Sequence, residues 1–146
     1  MIAAAATILV LAAAAGAVPQ RIASLNLAAD EVLLDLVPAR RLVAVTAQGD
    51  EKGMSNVVGR LPPALPRFFR ADLERLLALA PDLVVVSEYT DPDFLRLLER
   101  SGIRAHRMQG LHSLAGYRAA ILALGDAVGA PDRAQAMVAR FDASLA

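Results

Sequence analysis

Short apolar runs alternate along this chain with stretches whose apolar residues recur at helical spacing. Arg21–Leu25 alternates and favours a short strand. Asn26 stands where a helix cap belongs. Ala29, Val32, Leu33 and Leu36 then share one helical face until Pro38 stops the run. Leu42–Val45 predicts a second strand. Asp72 caps a helix reaching Leu79, closed by Ala80-Pro81. Leu83–Val86 is continuously apolar, the pattern of a strand buried on both faces. Asp91-Pro92 opens a helix that Ser101-Gly102 ends, and Ile103–Met108 predicts a fourth strand. Ser113 opens a helix that runs to about Val128 and stops at Gly129. Pro131 opens the last one. The pattern predicts an α/β fold, a Rossmann-like lobe with a four-stranded, mostly parallel sheet flanked by helices. Between the second strand and Asp72, Ala47–Arg70 is rich in Gly, Pro and polar residues and is expected to be irregular. Loops of that length are commonly functional or mobile.

The two ends of the chain read differently. Ile2–Ala15 is apolar apart from Thr7, and Ala15-Gly16-Ala17 gives a small-x-small pattern. Residues 1–17 are therefore expected to be a signal peptide cut after Ala17, although no Lys or Arg precedes the apolar run. The alternative is a buried N-terminal helix. A secreted, periplasmic, soluble protein is the expectation. The last helix carries Ala134, Met137, Val138, Phe141 and Leu145 on one stripe. That stripe needs a surface, which its own lobe, a second lobe or a second copy of the chain would supply.

Composition removes several classes of function. The 15 basic and 15 acidic residues cancel, and no basic stripe invites nucleic acid. There is no cysteine, hence no disulfide, thiolate nucleophile or Cys-type zinc site. Gly-rich phosphate loops and the GxSxG elbow are absent from the sequence. A small secreted α/β enzyme would need such a loop or a nucleophile–base pair. The palette left is one for binding, and no catalytic residue is assigned.

Ligands of open parallel sheets bind beyond the carboxyl ends of the strands. This nominates Ser24–Asn26, Thr46–Asp50, Ser87–Thr90 and Gln109–His112. Glu88 and Tyr89 offer a polar contact and an aromatic wall, or form an ordinary exposed loop. His112 is a ligand contact or a loop cap before Ser113, whereas His106, inside a strand, reads as a surface or packed residue. Of the adjacent Phe68 and Phe69, one packs inward while the other reaches the cleft, or both cover the sheet edge. Glu74 lies on the first turn of its helix, where the dipole favours a carboxylate.

RIASLNLAADEVLLDL, the phrase LERLLALAPDLVVVS, the LLERSGIRA element and GAPDRAQAMVARF follow one another in an order that resembles periplasmic binding proteins serving cobalamin and ferric-siderophore ABC importers. The resemblance covers the chain beyond the leader. It implies two α/β lobes joined by one long helix, with the ligand between them. Residues 18–130 would be the N-terminal lobe and 131–146 the start of the linking helix, with the second lobe beyond this sequence. It implies capture of a cobalamin or iron chelate (siderophore or haem), with Asn26, Gln48, Phe68 and Ser87 at cleft positions. It also implies that Glu74 docks on arginines of the inner-membrane permease. SLNLAADE departs from the commoner Pro-containing form, which leaves the choice of ligand open. No His-rich metal set of the manganese- or zinc-binding relatives is present, so a metal would arrive already chelated. Two other readings are a stand-alone protein-interaction module and a fragment that binds nothing.

Overall fold

Four caps written in the sequence close on their helices in the computed structural model, which describes residues 16–146. Most of the expected leader, residues 1–15, lies outside the described residues. Asn26 accepts the Ala29 N–H at 3.0 Å and starts α1 (Leu27–Leu36). Asp72 accepts the Arg75 N–H at 3.0 Å and starts α2 (Leu73–Ala78). Asp91 accepts the Asp93 N–H at 2.8 Å, with Pro92 opening α3 (Pro92–Arg100). Ser113 accepts the Gly116 N–H at 3.0 Å and starts α4 (Leu114–Ala127). Each cap satisfies a donor that a helix cannot, worth about 1 kcal/mol. Pro131 opens α5 (Pro131–Leu145) without a side-chain cap.

The strands are β1 (Ile22–Ser24), β2 (Leu42–Thr46), β3 (Arg67–Phe68), β4 (Leu83–Ser87) and β5 (Arg104–Met108). All pairings are parallel, in the order β3-β2-β1-β4-β5. The sheet has five strands where the sequence predicts four. The extra strand, β3, lies inside the stretch expected to be irregular. Two residues carry no periodicity, so β3 is held from outside. Val45 donates to Pro66 O at 3.1 Å. The Arg67 guanidinium grips Asp50 at 2.7 and 3.2 Å and two loop carbonyls, Pro62 and Leu65. That hydrogen-bonded cation holds the Asp50 carboxyl below its usual range. The rest of the stretch is also pinned. Glu31 accepts the Asn56 N–H at 2.8 Å, Asp35 pairs with Arg60 at 2.9 Å, and Val57 and Leu61 are buried against Val45.

The sheet divides its apolar residues between two cores. On one face Ile22, Leu83 and Val85 pack with Leu33, Leu36, Ile121 and Leu124 under α1 and α4. On the other, Ala23, Val84 and Val86 pack with Leu76 and Leu98 under α2 and α3. The period-two split explains why β4 is apolar throughout. Only β5 departs from it: this outer strand leaves Arg104, Ala105 and Arg107 exposed.

The last helix packs on its own lobe. Ala134 is buried, and Met137 and Val138 pack on the core beneath α1 and α4. Gly125 of α4 makes this approach possible, since a Cβ there would lie 2.3 Å from Ala134 Cβ. Phe141 meets Tyr117 with ring centroids 5.3 Å apart, and Arg118 pairs with Asp142. Of the predicted stripe only Leu145 stays exposed. The surface that a second copy would have used is therefore largely occupied from within.

Candidate functional site

The strand order reverses between β1 and β4, so the crevice of this sheet opens beyond Ser24 and Ser87. The structure places the predicted residues around it in three ways.

Asn26 and Gln48 face the carboxyl edge with unused polar groups. Asn26 caps α1 through its oxygen, and its amide NH2 has no partner among the described residues. Gln48 is exposed on the 3-10 turn Ala47–Asp50, and its amide likewise makes no hydrogen bond there.

Ser87 and Glu88 serve the loops themselves. Ser87 Oγ accepts the Tyr89 N–H at 3.1 Å, which shapes the β4–α3 loop. The Glu88 carboxylate accepts the Gly110 N–H at 3.1 Å, and the Arg107 guanidinium donates to Glu88 O at 2.6 Å. Together they tie the loop after β4 to the loop after β5. That second loop also rests on α4. A Cβ on Gly116 would lie 1.9 Å from Gly110 O, and Gly110 itself has φ +72°. The loop presents His112 to solvent.

The aromatics separate. Phe68, expected on the cleft, is 3% exposed and turned into the core, with the Arg75 guanidinium 4.5 Å above its ring. Phe69 is 89% exposed and Tyr89 84% exposed. Leu25, Thr46, Gln48, Phe68, Phe69, Arg70 and Thr90 enclose part of a depression of about 100 Å³ beyond β1, β2 and β3. Complete small-molecule pockets hold roughly 300–1,000 Å³. A depression of this size cannot by itself enclose a macrocycle. Thr90 closes the nominated segment Ser87–Thr90, whereas Arg70 lies outside every segment nominated from the sequence. The signal that would have found Arg70 is β3, because a residue two places beyond a parallel strand belongs to the ligand edge.

Other polar groups lie elsewhere. His106 sits within β5 beside Leu83 and Ala127, and burial lowers its pKa. A larger depression of about 440 Å³ runs between α3 and the outer edge of β5, lined by Leu95, Ile103 and Arg107. It marks a flank of the edge strand that the described residues leave open, away from the crevice. Among the described residues no group of three His, Asp or Glu is placed to hold a metal, and no helix is long and apolar enough to cross a membrane.

Asp30 is fully buried in the first turn of α1. Its Oδ2 accepts the Thr46 N–H at 3.1 Å and the Thr46 hydroxyl at 2.5 Å, while Oδ1 has no partner. Burial raises its pKa to about 6, against the opposing hydrogen bonds. The folded chain thus holds this proton more tightly than the unfolded one. The stability so gained is full below the ordinary carboxyl range and is lost as pH rises through about 6.

The comparisons agree with this geometry. The family model described as "Periplasmic binding protein" matches residues 22–146. No curated protein matches the chain. Among solved structures, a periplasmic haem-binding protein from Pseudomonas aeruginosa is 26% identical with a TM-score of 0.69, over 85% of this chain and 43% of its own. The periplasmic haem-binding protein HutB of Vibrio cholerae is 26% identical with a TM-score of 0.68, over 83% of this chain and 46% of its own. The periplasmic vitamin B12-binding protein BtuF of Vibrio cholerae is 24% identical with a TM-score of 0.68, over 88% of this chain and 49% of its own. The chain thus spans less than half the length of each. These proteins are named for the solutes they bind and not for a reaction. With its parallel sheet, its crevice at the strand reversal and a family match over 22–146, the chain belongs to the periplasmic binding protein family.

Proposed function

We propose that this chain is one lobe of a receptor that captures an iron chelate or a cobalamin in the periplasm and delivers it to an ABC importer permease in the inner membrane. The observation that carries the reading is the pair of exposed aromatics, Phe69 and Tyr89, at strand ends that also carry the free amides of Asn26 and Gln48. Exposed aromatic rings with few polar groups around them suit a large, partly apolar chelate. Haem and vitamin B12 appear in the names of its structural relatives. The shallow wall fits half of a cleft, with a second lobe or a second copy closing the other side. His112 and Tyr89 would contact the ligand from the loops, while Ser87 and Glu88 hold those loops in place.

Haem, cyanocobalamin and a ferric siderophore, each titrated against the chain by absorbance, test the reading. Saturable binding of one of them without turnover is expected. Phe69→Ala should weaken that binding about tenfold, the loss of roughly 1.4 kcal/mol of stacking. No saturable binding of any of the three would refute it.

Glu74 is exposed on the first turn of α2, and its carboxylate has no partner among the described residues. A carboxylate so presented suits bidentate pairing with a permease arginine. Glu74→Arg is expected to abolish co-sedimentation with permease-bearing membranes while ligand affinity stays unchanged. Loss of ligand binding with intact co-sedimentation would remove Glu74 from the docking surface.

A further inference from the structure

The buried carboxyl of Asp30 lies directly beneath the turn that carries Gln48. Its Oδ2 receives both the backbone N–H and the hydroxyl of Thr46, the last residue before the turn. The turn packs closely over it and over Leu61. A Cβ on Gly49 would lie 3.4 Å from Asp30 Oδ2 and 2.3 Å from Leu61 Cδ1. The other oxygen, Oδ1, is buried and unpartnered. Beside the carboxyl stands Ser24, whose hydroxyl donates its only proton to Asn26 O at 3.0 Å. Turned toward the carboxylate instead, that hydroxyl donates to it and lowers its pKa, at the expense of the bond to Asn26 O. Ionised, the carboxyl leaves Oδ1 unsatisfied unless Ser24 gives up its bond to Asn26 O. Protonated, an Oδ1–H can donate to Ser24, and both oxygens are satisfied.

We propose that Asp30 is a positioning residue for the ligand-facing turn Ala47–Asp50, and that one proton moving on and off its carboxyl shifts that turn.

The surroundings isolate this proton. From β1 it faces Ser24, and from β2 it faces Thr46. From β3 the charge of Arg67 reaches it, itself paired with Asp50 of the turn. On its own helix, Glu31 is bonded to Asn56 and Asp35 to Arg60. When Oδ1 loses its proton, the carboxylate bears full charge against two Thr46 donors, and the Thr46 bonds tighten. When the proton returns they relax, and Gln48 moves with them. The idea rests on the reading of the strand ends as the ligand face only for its consequence in binding.

Amide resonances of Thr46, Ala47 and Gln48, followed from pH 5 to 8 in the whole chain, test it without any ligand. They are expected to titrate together with one midpoint near the raised value of about 6. In Asp30→Asn, whose NH2 replaces the proton on the Ser24 side, they should stay flat near their low-pH positions. In Ser24→Ala the carboxylate loses a hydrogen bond that lowers its pKa, and the midpoint should rise above that of the unaltered chain. Amides that do not move in the unaltered chain, that titrate unchanged in Asp30→Asn, or whose midpoint stays or falls in Ser24→Ala would overturn the proposal. Should Asp30→Asn fail to fold, Ser24→Ala still decides by the sign of its shift. Haem titrated at pH 5.5 and 7.5 then separates the two ideas. A pH-dependent affinity that Asp30→Asn abolishes supports the link to binding, and equal affinity at both pH values overturns it. Absence of haem binding with intact amide titration counts against haem as the ligand and leaves the positioning role standing.

Discussion

Phe68→Ala is expected to lower the stability of this chain by about 3–5 kcal/mol, while Phe69→Ala leaves it within about 0.5 kcal/mol of the unaltered protein. The two residues are adjacent and chemically identical, so the difference comes from placement alone. Phe68 belongs to the core formed by Ala44, Leu76, Val84 and Leu98, and Arg75 covers the far side of its ring. Removing the ring opens a cavity under α2 and also strips the cation–π partner of a guanidinium that donates to Arg67 O at 2.8 Å. That bond helps hold β3, so the damage should reach the strand. Phe69 is 89% exposed and supports nothing beneath it. Urea unfolding of the two variants checks this. Equal midpoints would mean that Phe68 does not occupy the core.

Gly116→Ala should cost about 3 kcal/mol, which for a chain of this size lowers the melting temperature by on the order of 10 °C. The sign is the informative part. Gly116 sits in the first turn of α4, and Gly→Ala within a helix ordinarily stabilises by roughly 1 kcal/mol. Here the new methyl would lie 1.9 Å from Gly110 O and 3.0 Å from Gly110 Cα, which are backbone atoms with no rotamer to change. Either the loop Gln109–His112 lifts off the helix or the helix start unwinds. Lifting the loop would stretch the Glu88–Gly110 hydrogen bond and release the β4 loop as well. Calorimetry that finds Gly116→Ala as stable as the unaltered chain would show that the loop does not rest on α4.

The course of the chain was legible wherever local chemistry decides it. Asn26, Asp72, Asp91 and Ser113 announce helix starts because a cap involves only the next few residues. β4 announces itself because burial on both faces leaves no polar position in the run. β3 was not legible, since its two residues become a strand only through Asp50, seventeen positions back, and through β2. The site divides in the same way. Strand ends at Asn26, Gln48 and Ser87 follow from the alternation of elements. What each side chain does there depends on partners far along the chain, as with Glu88 and Gly110 or Asp30 and Thr46. Asp30 did leave one trace: it lies three positions before Leu33 on the buried stripe, where a carboxylate has no business without a partner.

The outer edge of β5 bears on how copies of this chain behave together. An unpaired strand edge is a template onto which an identical edge can add. If two copies met edge to edge through Arg104–Met108, arginines 104 and 107 of each would crowd those of the other, and like charges held opposite one another oppose such pairing. The protection is electrostatic and therefore conditional. At roughly 1 M salt the screening length shrinks to about 3 Å, and the repulsion between the two edges all but vanishes. Concentrated, high-salt solutions are then the conditions in which the sheets of two neighbouring molecules would join edge to edge.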